Sequence, residues 1–138
     1  QFMTMNFLMW EDDTRLLRYT SAGHEHILWH RRERKASQRI KAGGVAVGLL
    51  EDPTSYLAES QLQTQPGDVI VLYTDGITEA RNAGEEMFSL NRLQESLDRH
   101  AELQDAREVC ESIIGDVLAF TGDAEQYDDM TLLVATVT

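Results

Sequence analysis

Two acidic groupings in this 138-residue chain stand where strand patterns stop or start. Asp75 follows Val69–Thr74 (VIVLYT), and Gly76 follows Asp75. Asp128 and Asp129 precede Thr131–Val137 (TLLVATV). If the two strands lie side by side and antiparallel, the end of the first meets the start of the second. Neighbouring strands are about 4.8 Å apart, so the carboxylates converge. Two carboxylates about 4 Å apart repel by roughly 4 kcal/mol at an effective dielectric of 20. A proton on one of them, or a cation between them, relieves that repulsion. Oxygen ligands without a cysteine set favour a hard cation, Mg²⁺ or Mn²⁺. Spacing alone also permits a plain reading, since Asp-Gly is common in turns and Asp pairs often cap loops.

The elements that must hold this corner are legible as hydrophobic patterns. Phe2 to Trp10 reads as a strand, with Met3, Met5, Phe7 and Met9 on one face and Thr4 and Asn6 on the other. Glu11–Thr14 turns it into a second strand, Arg15–Ser21. Ala22–Glu25 is a further turn, followed by a short strand at His26–His30. Tyr56–Leu62 reads as a strand, and Pro66-Gly67-Asp68 is a turn leading into Val69–Thr74. Two helices follow. Ser89 is placed as an N-cap ahead of a Leu90, Leu93, Leu97 stripe. Asp105 and Glu108 form a capping-box pattern ahead of Val109, Ile113 and Val117, with Ile114 and Phe120 widening the face and Gly122 as the stop. Strands, two helices, then a final buried strand predict an α+β domain with helices packed on a mainly antiparallel sheet. Residues 1–138 read as one domain. The chain opens on Gln1 inside a strand pattern, which predicts that residues upstream belong to the same fold.

Composition narrows the function. Twelve Lys and Arg against 24 Asp and Glu give a net charge of −12, which argues against a nucleic-acid binder and against an anionic membrane surface. No apolar run approaches the roughly 18 residues of a membrane span. The single cysteine, Cys110, excludes an intrachain disulfide and fits a reducing cytoplasm.

Three segments resemble the metal-dependent protein phosphatases (PPM, type 2C-like), in particular their bacterial SpoIIE/RsbU branch. Tyr19-Thr20-Ser21-Ala22-Gly23-His24 is similar to that branch's Y-x-N-A-G-H. Pro66-Gly67-Asp68, then Tyr73-Thr74-Asp75-Gly76-Ile77-Thr78-Glu79-Ala80-Arg81-Asn82, is similar to its P-G-D…Y-T-D-G-[VI]-T-E-A-R-N, continued by Gly84-Glu85 and Phe88. Gln126-Tyr127-Asp128-Asp129-Met130-Thr131 is similar to its Q-x-D-D-x-T. The resemblance implies an α-β-β-α sandwich holding two Mn²⁺ or Mg²⁺ ions. It implies hydrolysis of a phosphoserine or phosphothreonine by an activated water, attacking in line. The implied substrate is a phosphorylated regulator of the anti-anti-sigma type, and the implied controller is an upstream sensor or receiver domain. By position, Asp75 and Asp128 are the implied ligands of one ion. Gly76 permits the tight turn beside it, Asp129 is a neighbouring or turn residue, and His24 is structural. A G-D-x-x-G-H-G-type motif, whose Asp bridges both ions in the family, does not occur in this chain, so weak or absent turnover is expected from these residues alone. Ser21 stands where the motif has Asn, and Ala46 where a G-x-P-[LI]-G pattern has Pro.

Other candidates carry less. His24 and His26 at i and i+2 could share a strand face and a metal. Residues 31–41 hold Arg31, Arg32, Arg34, Lys35, Arg39 and Lys41, which reads either as a solvated loop or as a dock for an acidic partner. His30 and His100 read as surface residues, and Cys110 as buried and inert. A non-catalytic, phosphatase-like binding module is the alternative function, and an open sheet edge could pair two copies into a homodimer.

Overall fold

The computed structural model describes residues 2–41, 43–52 and 54–138. Gln1, which the strand pattern placed in an opening strand, lies outside them. Among the described residues, seven strands form two antiparallel sheets. The first sheet has the order β1-β2-β5, from β1 (Met5–Glu11), β2 (Leu16–Ala22) and β5 (Ser60–Gln63). The second has the order β4-β3-β6-β7, from β3 (Ile27–Arg31), β4 (Ala36–Ile40), β6 (Val69–Tyr73) and β7 (Leu132–Thr136). Helices α2 (Ser89–His100) and α3 (Ala106–Thr121) cover the outer face of the second sheet. Three layers of the expected sandwich are thus present. Among the described residues, no helix covers the outer face of the first sheet.

Strand alternation divides the core in two. Leu17, Tyr19 and Leu62 of the first sheet meet Ile27, Trp29 and Ile70 of the second between the layers. The opposite faces of β3 and β6 turn Leu28, Val69, Val71 and Tyr73 toward Leu93, Leu97, Val109, Ile113 and Val117 of the helices. Each of these fully buried aliphatic side chains contributes about 1.5–3 kcal/mol, so truncating Ile113 to Ala costs about 2–5 kcal/mol. Asp105 caps α3 by accepting the Glu108 N–H at 2.9 Å, and Gly122 ends it with φ 56°, both as the sequence predicts.

Several expectations need correction. The Met3, Met5, Phe7, Met9 face points outward and is exposed; Asn6, Leu8 and Trp10 lie opposite the inward residues Ser21, Tyr19 and Leu17. The alternation was right but did not say which face is the core. The basic stretch is a loop only in part: Arg32, Arg34 and Lys35 lie in the exposed turn between β3 and β4, while Ala36–Ile40 pairs with Ile27–Arg31 as an edge strand that carries Arg39. The strand expected over Tyr56–Leu62 is shortened to Ser60–Gln63, with a 3-10 turn at Thr54–Tyr56. Ser89 begins α2 with φ 74° and Phe88 occupies the cap without a side-chain bond, so Ser89 is not a conventional N-cap. Cys110 is half-buried rather than buried.

His30 is buried and not on the surface. Its Nδ1 lies 2.8 Å from Asp98 Oδ1, and the Ser37 hydroxyl donates to the same carboxylate, which ties α2 to β3 and β4. His100 is half-buried, with Nε2 2.9 Å from Asp116 Oδ2. The Asp of Pro66-Gly67-Asp68 is more than a turn residue. Asp68 is buried and accepts from Trp29 Nε1 (3.0 Å), the Arg32 N–H (3.0 Å) and the Gln65 N–H (3.1 Å), which satisfies the carboxylate and fixes the entry to β6.

Candidate metal centre

β6 and β7 are adjacent and antiparallel, with Tyr73 opposite Leu132 at the acidic end. The ladder continues past the strands, because the Thr74 N–H donates to the Thr131 carbonyl at 3.1 Å. The Thr74 hydroxyl joins the two acidic segments directly. It accepts from the Thr131 N–H at 3.1 Å and donates to the Asp129 carbonyl at 3.3 Å. Thr74 was passed over in the sequence as an ordinary strand residue. Its place between a strand and Asp75 was the available signal.

Asp75 opens a one-turn helix, α1 (Asp75–Thr78), where the sequence suggested only a turn. Asp75 Oδ1 accepts the Gly76 N–H at 3.0 Å, and Asp128 Oδ1 accepts the Asp129 N–H at 2.8 Å. Each carboxylate is thereby oriented by the next residue's backbone while its second oxygen keeps its lone pairs. Gly76 has no left-handed backbone. It is needed for contact: a methyl group on its α carbon would lie 2.2 Å from the Asp129 carbonyl oxygen.

His24 follows β2, and its Nδ1 lies 3.1 Å from Thr4 Oγ1. That bond ties the turn after β2 to the approach to β1. Gly23 beside it has φ 66°, and a side chain there would lie 2.7 Å from the Ala46 N. Ser21, in the motif's Asn position, is buried with its Oγ unpartnered, and the Asn6 amide opposite it in register is also unpartnered. Tyr73 Oη is a third buried group without a hydrogen bond of good geometry, and burial pushes this phenol up to about 12, with Glu25 adding to the shift and Arg39 and the His26 backbone opposing it.

The donors at this end are carboxylate oxygens, which is the chemistry of a hard divalent ion. Among the described residues, no group of three or more His, Cys, Asp or Glu is placed to hold one. The residues present therefore fit part of such a site.

A cavity of about 530 Å³ adjoins the acidic corner, bounded by α1, the end of α3 and residues 124–130. Its wall includes Gly76 and Asp128, and also Arg81. The segment carrying Arg81 is tied to the start of α2, where the Phe88 N–H donates to the Ala80 carbonyl at 2.7 Å. Phe88 packs edge-on against Phe120 with centroids 5.5 Å apart, and Arg92 stacks 4.7 Å over the same ring.

The SpoIIE family model (stage II sporulation protein E) matches residues 1–138. The chain belongs to the SpoIIE family. Within this SpoIIE/RsbU-type group, the chain is 31% identical over 132 residues to protein IcfG of Synechocystis sp.. It is 30% identical over 135 residues to the phosphoserine phosphatase RsbU of Bacillus subtilis. Each match covers 96% of this chain, which spans 20% of IcfG and 38% of RsbU. In structure, the SiaA-PP2C domain of Pseudomonas aeruginosa superposes with a TM-score of 0.80 at 20% identity, over 96% of this chain and 51% of that one. The antiparallel α+β architecture of this SpoIIE-family chain is thus the PPM-phosphatase fold. Among the described residues, no helix is long and apolar enough to cross a membrane.

Proposed function

We propose that these residues form part of a metal-dependent serine/threonine protein phosphatase, with Asp75 and Asp128 as ligands of one Mn²⁺ or Mg²⁺ ion. The observation that carries this reading is the β6–β7 pairing, which sets the end of one strand beside the start of the other at the acidic corner. A divalent ion bound there supplies a water nucleophile of lowered pKa and neutralises charge on the phosphoryl oxygens. This chain's residues do the positioning. The Gly76 and Asp129 N–H groups orient the two carboxylates, and the Thr74 hydroxyl holds the two segments at a fixed separation. Asp129 and His24 act as supports of the surrounding turns rather than as ligands.

Family membership and the phosphoserine phosphatase RsbU as a relative support a phosphoserine or phosphothreonine on a regulatory protein as substrate. An anti-anti-sigma-type regulator fits, in a cytoplasmic setting, with an upstream sensor or receiver domain as controller. Two carboxylates make an incomplete site, so these residues alone are expected to turn over substrate weakly or not at all. The same incompleteness favours a second reading, a non-catalytic phosphatase-like module that binds partners.

Mn²⁺ titration by calorimetry and turnover of a phosphoserine peptide separate the two. They are measured on this chain, on the full-length protein that carries it, and on Asp75→Asn in each. The phosphatase reading expects Mn²⁺-dependent turnover in the longer form and a loss of at least 100-fold on Asp75→Asn, about 2.7 kcal/mol of transition-state stabilisation. Unchanged turnover in the variant removes Asp75 from the centre. No Mn²⁺-dependent turnover in any form leaves the binding module.

A further inference from the structure

We infer that Arg81 is a substrate-binding residue, whose guanidinium takes the phosphoryl oxygens of the phosphoserine as the substrate enters the cavity beside the acidic corner. The inference deepens the phosphatase reading and rests on it. Arg81 lies in the Thr-Glu-Ala-Arg-Asn run of the sequence, and its guanidinium pairs with Glu85.

Three observations carry it. The first is charge. The cavity wall that includes Gly76 and Asp128 also bears Glu79, Glu85 and Glu125, and Arg81 is its one Lys or Arg among the described residues. A phosphomonoester dianion entering this space meets carboxylates on several sides, and the compensating cation on its wall, among the described residues, is this one. Guanidinium is also the group whose planar donor fork matches two phosphoryl oxygens at once.

The second is preorganisation of the backbone under Arg81. Asn82 Oδ1 accepts the N–H groups of Gly84 (2.9 Å) and Glu86 (3.0 Å). The Asn82 N–H donates to the Glu86 carbonyl at 3.1 Å, and Arg81 itself bridges to Met87. The turn that carries the arginine is therefore fixed by its own neighbours.

The third is the weakness of what holds the head group. Its contact is with Glu85 through one nitrogen, at 3.2 Å, four residues along, with side-chain exposures of 37% and 69%. Exposed i,i+4 pairs of this kind exchange readily. Glu85 thus parks the guanidinium beside the cavity, and an incoming dianion displaces it.

The test uses the full-length protein with Mn²⁺, a phosphoserine peptide as substrate and inorganic phosphate as competitive inhibitor. Arg81→Ala is expected to raise KM and the phosphate inhibition constant about 10-fold or more, with Mn²⁺ affinity unchanged by calorimetry. Arg81→Lys should recover part of the loss. Glu85→Gln releases the head group and should lower the phosphate inhibition constant. Opposite signs for Arg81→Ala and Glu85→Gln are what a merely structural ion pair would not produce. An unchanged inhibition constant in Arg81→Ala, or a shift of the same sign in both variants, overturns the inference. If Arg81→Ala does not fold by circular dichroism, Arg81→Lys and Glu85→Gln decide by the same signs. Full turnover by Asp75→Asn, in contrast, strikes the metal centre and leaves the phosphate measurement to report on Arg81 alone.

Discussion

The α carbon of Gly76 is pressed against the backbone of Asp129, so that a methyl group added to Gly76 would lie 2.2 Å from the Asp129 carbonyl oxygen. The contact locks the first turn of α1 onto the segment carrying the second acidic grouping. It sets how closely the Asp75 and Asp128 segments approach. Gly76→Ala gains about 0.5–1 kcal/mol in helix propensity but costs about 1–3 kcal/mol in overpacking against an atom that cannot rotate away. The expected outcome is a net loss, read as a lower urea midpoint at unchanged slope. An unchanged or higher midpoint would show that residues 128–130 yield freely, and would remove the contact as the gauge of the acidic corner.

Tyr73 presents the reverse case, a buried polar group that the fold leaves unserved. Its Oη makes no hydrogen bond of good geometry, with only the His26 backbone near enough to lower its pKa, while its ring packs among Leu28, Leu93 and Ile77 in the helix-facing core. Leaving a buried hydroxyl unpaired costs about 1–3 kcal/mol, and removing it keeps the ring. Tyr73→Phe should therefore raise the melting temperature or leave it unchanged. A fall of several degrees would mean that the hydroxyl has a partner that matters, and would refute the account.

Much of this was legible in the residues. The β6 and β7 runs declared themselves through β-branched content, and their flanking Asp residues marked the corner. The second helix announced both its cap at Asp105 and its stop at Gly122. What escaped was set by partners distant in the chain. His30 and Asp98 are 68 residues apart, and nothing local distinguishes a surface histidine from one that pins a helix to a sheet. The outward Met face of β1 has the same alternation an inward face would have, since period two fixes that faces differ but not which one meets the core. Thr74 looked like the tail of a strand, and only the pairing of β6 with β7 gives its hydroxyl a carbonyl to reach. The residues suggested a tight turn at Gly76, and the neighbouring Asp129 backbone that also constrains it lies 53 residues away in the chain.

Gly115 supplies a matched control for Gly76. It sits within α3, exposed, and a methyl group placed on it meets nothing within 4 Å. Gly115→Ala should stabilise the domain by about 0.5–1 kcal/mol, because helical glycine costs that much in backbone entropy and no clash offsets the gain. The pair of Gly→Ala variants is thus expected to move the urea midpoint in opposite directions. Destabilisation by Gly115→Ala would point to a contact on the open face of α3.

Asp116 joins the two long helices and makes the domain sensitive to acid. Its Oδ2 accepts from Ser96 Oγ at 2.5 Å and Arg99 Nη2 at 2.8 Å, and lies 2.9 Å from His100 Nε2. Burial alone would raise this carboxyl, but the bonds from Ser96, Arg99 and His100 outweigh it and hold it below its ordinary value of 3.8. A carboxylate depressed in the folded state stabilises fully above its unfolded value. That contribution is lost as pH falls below about 3.8 and through the lower folded value. Asp116→Asn removes the charge from three donors and should cost about 1.5–3 kcal/mol at neutral pH, the range for hydrogen bonds to a charged group. The difference in stability between the two proteins should narrow on acidification through that window, as the native carboxylate takes up its proton. Urea melts of both proteins from pH 6 down to pH 3 measure this directly. A difference that stays constant across the range would show that the carboxylate charge is not what binds α2 to α3.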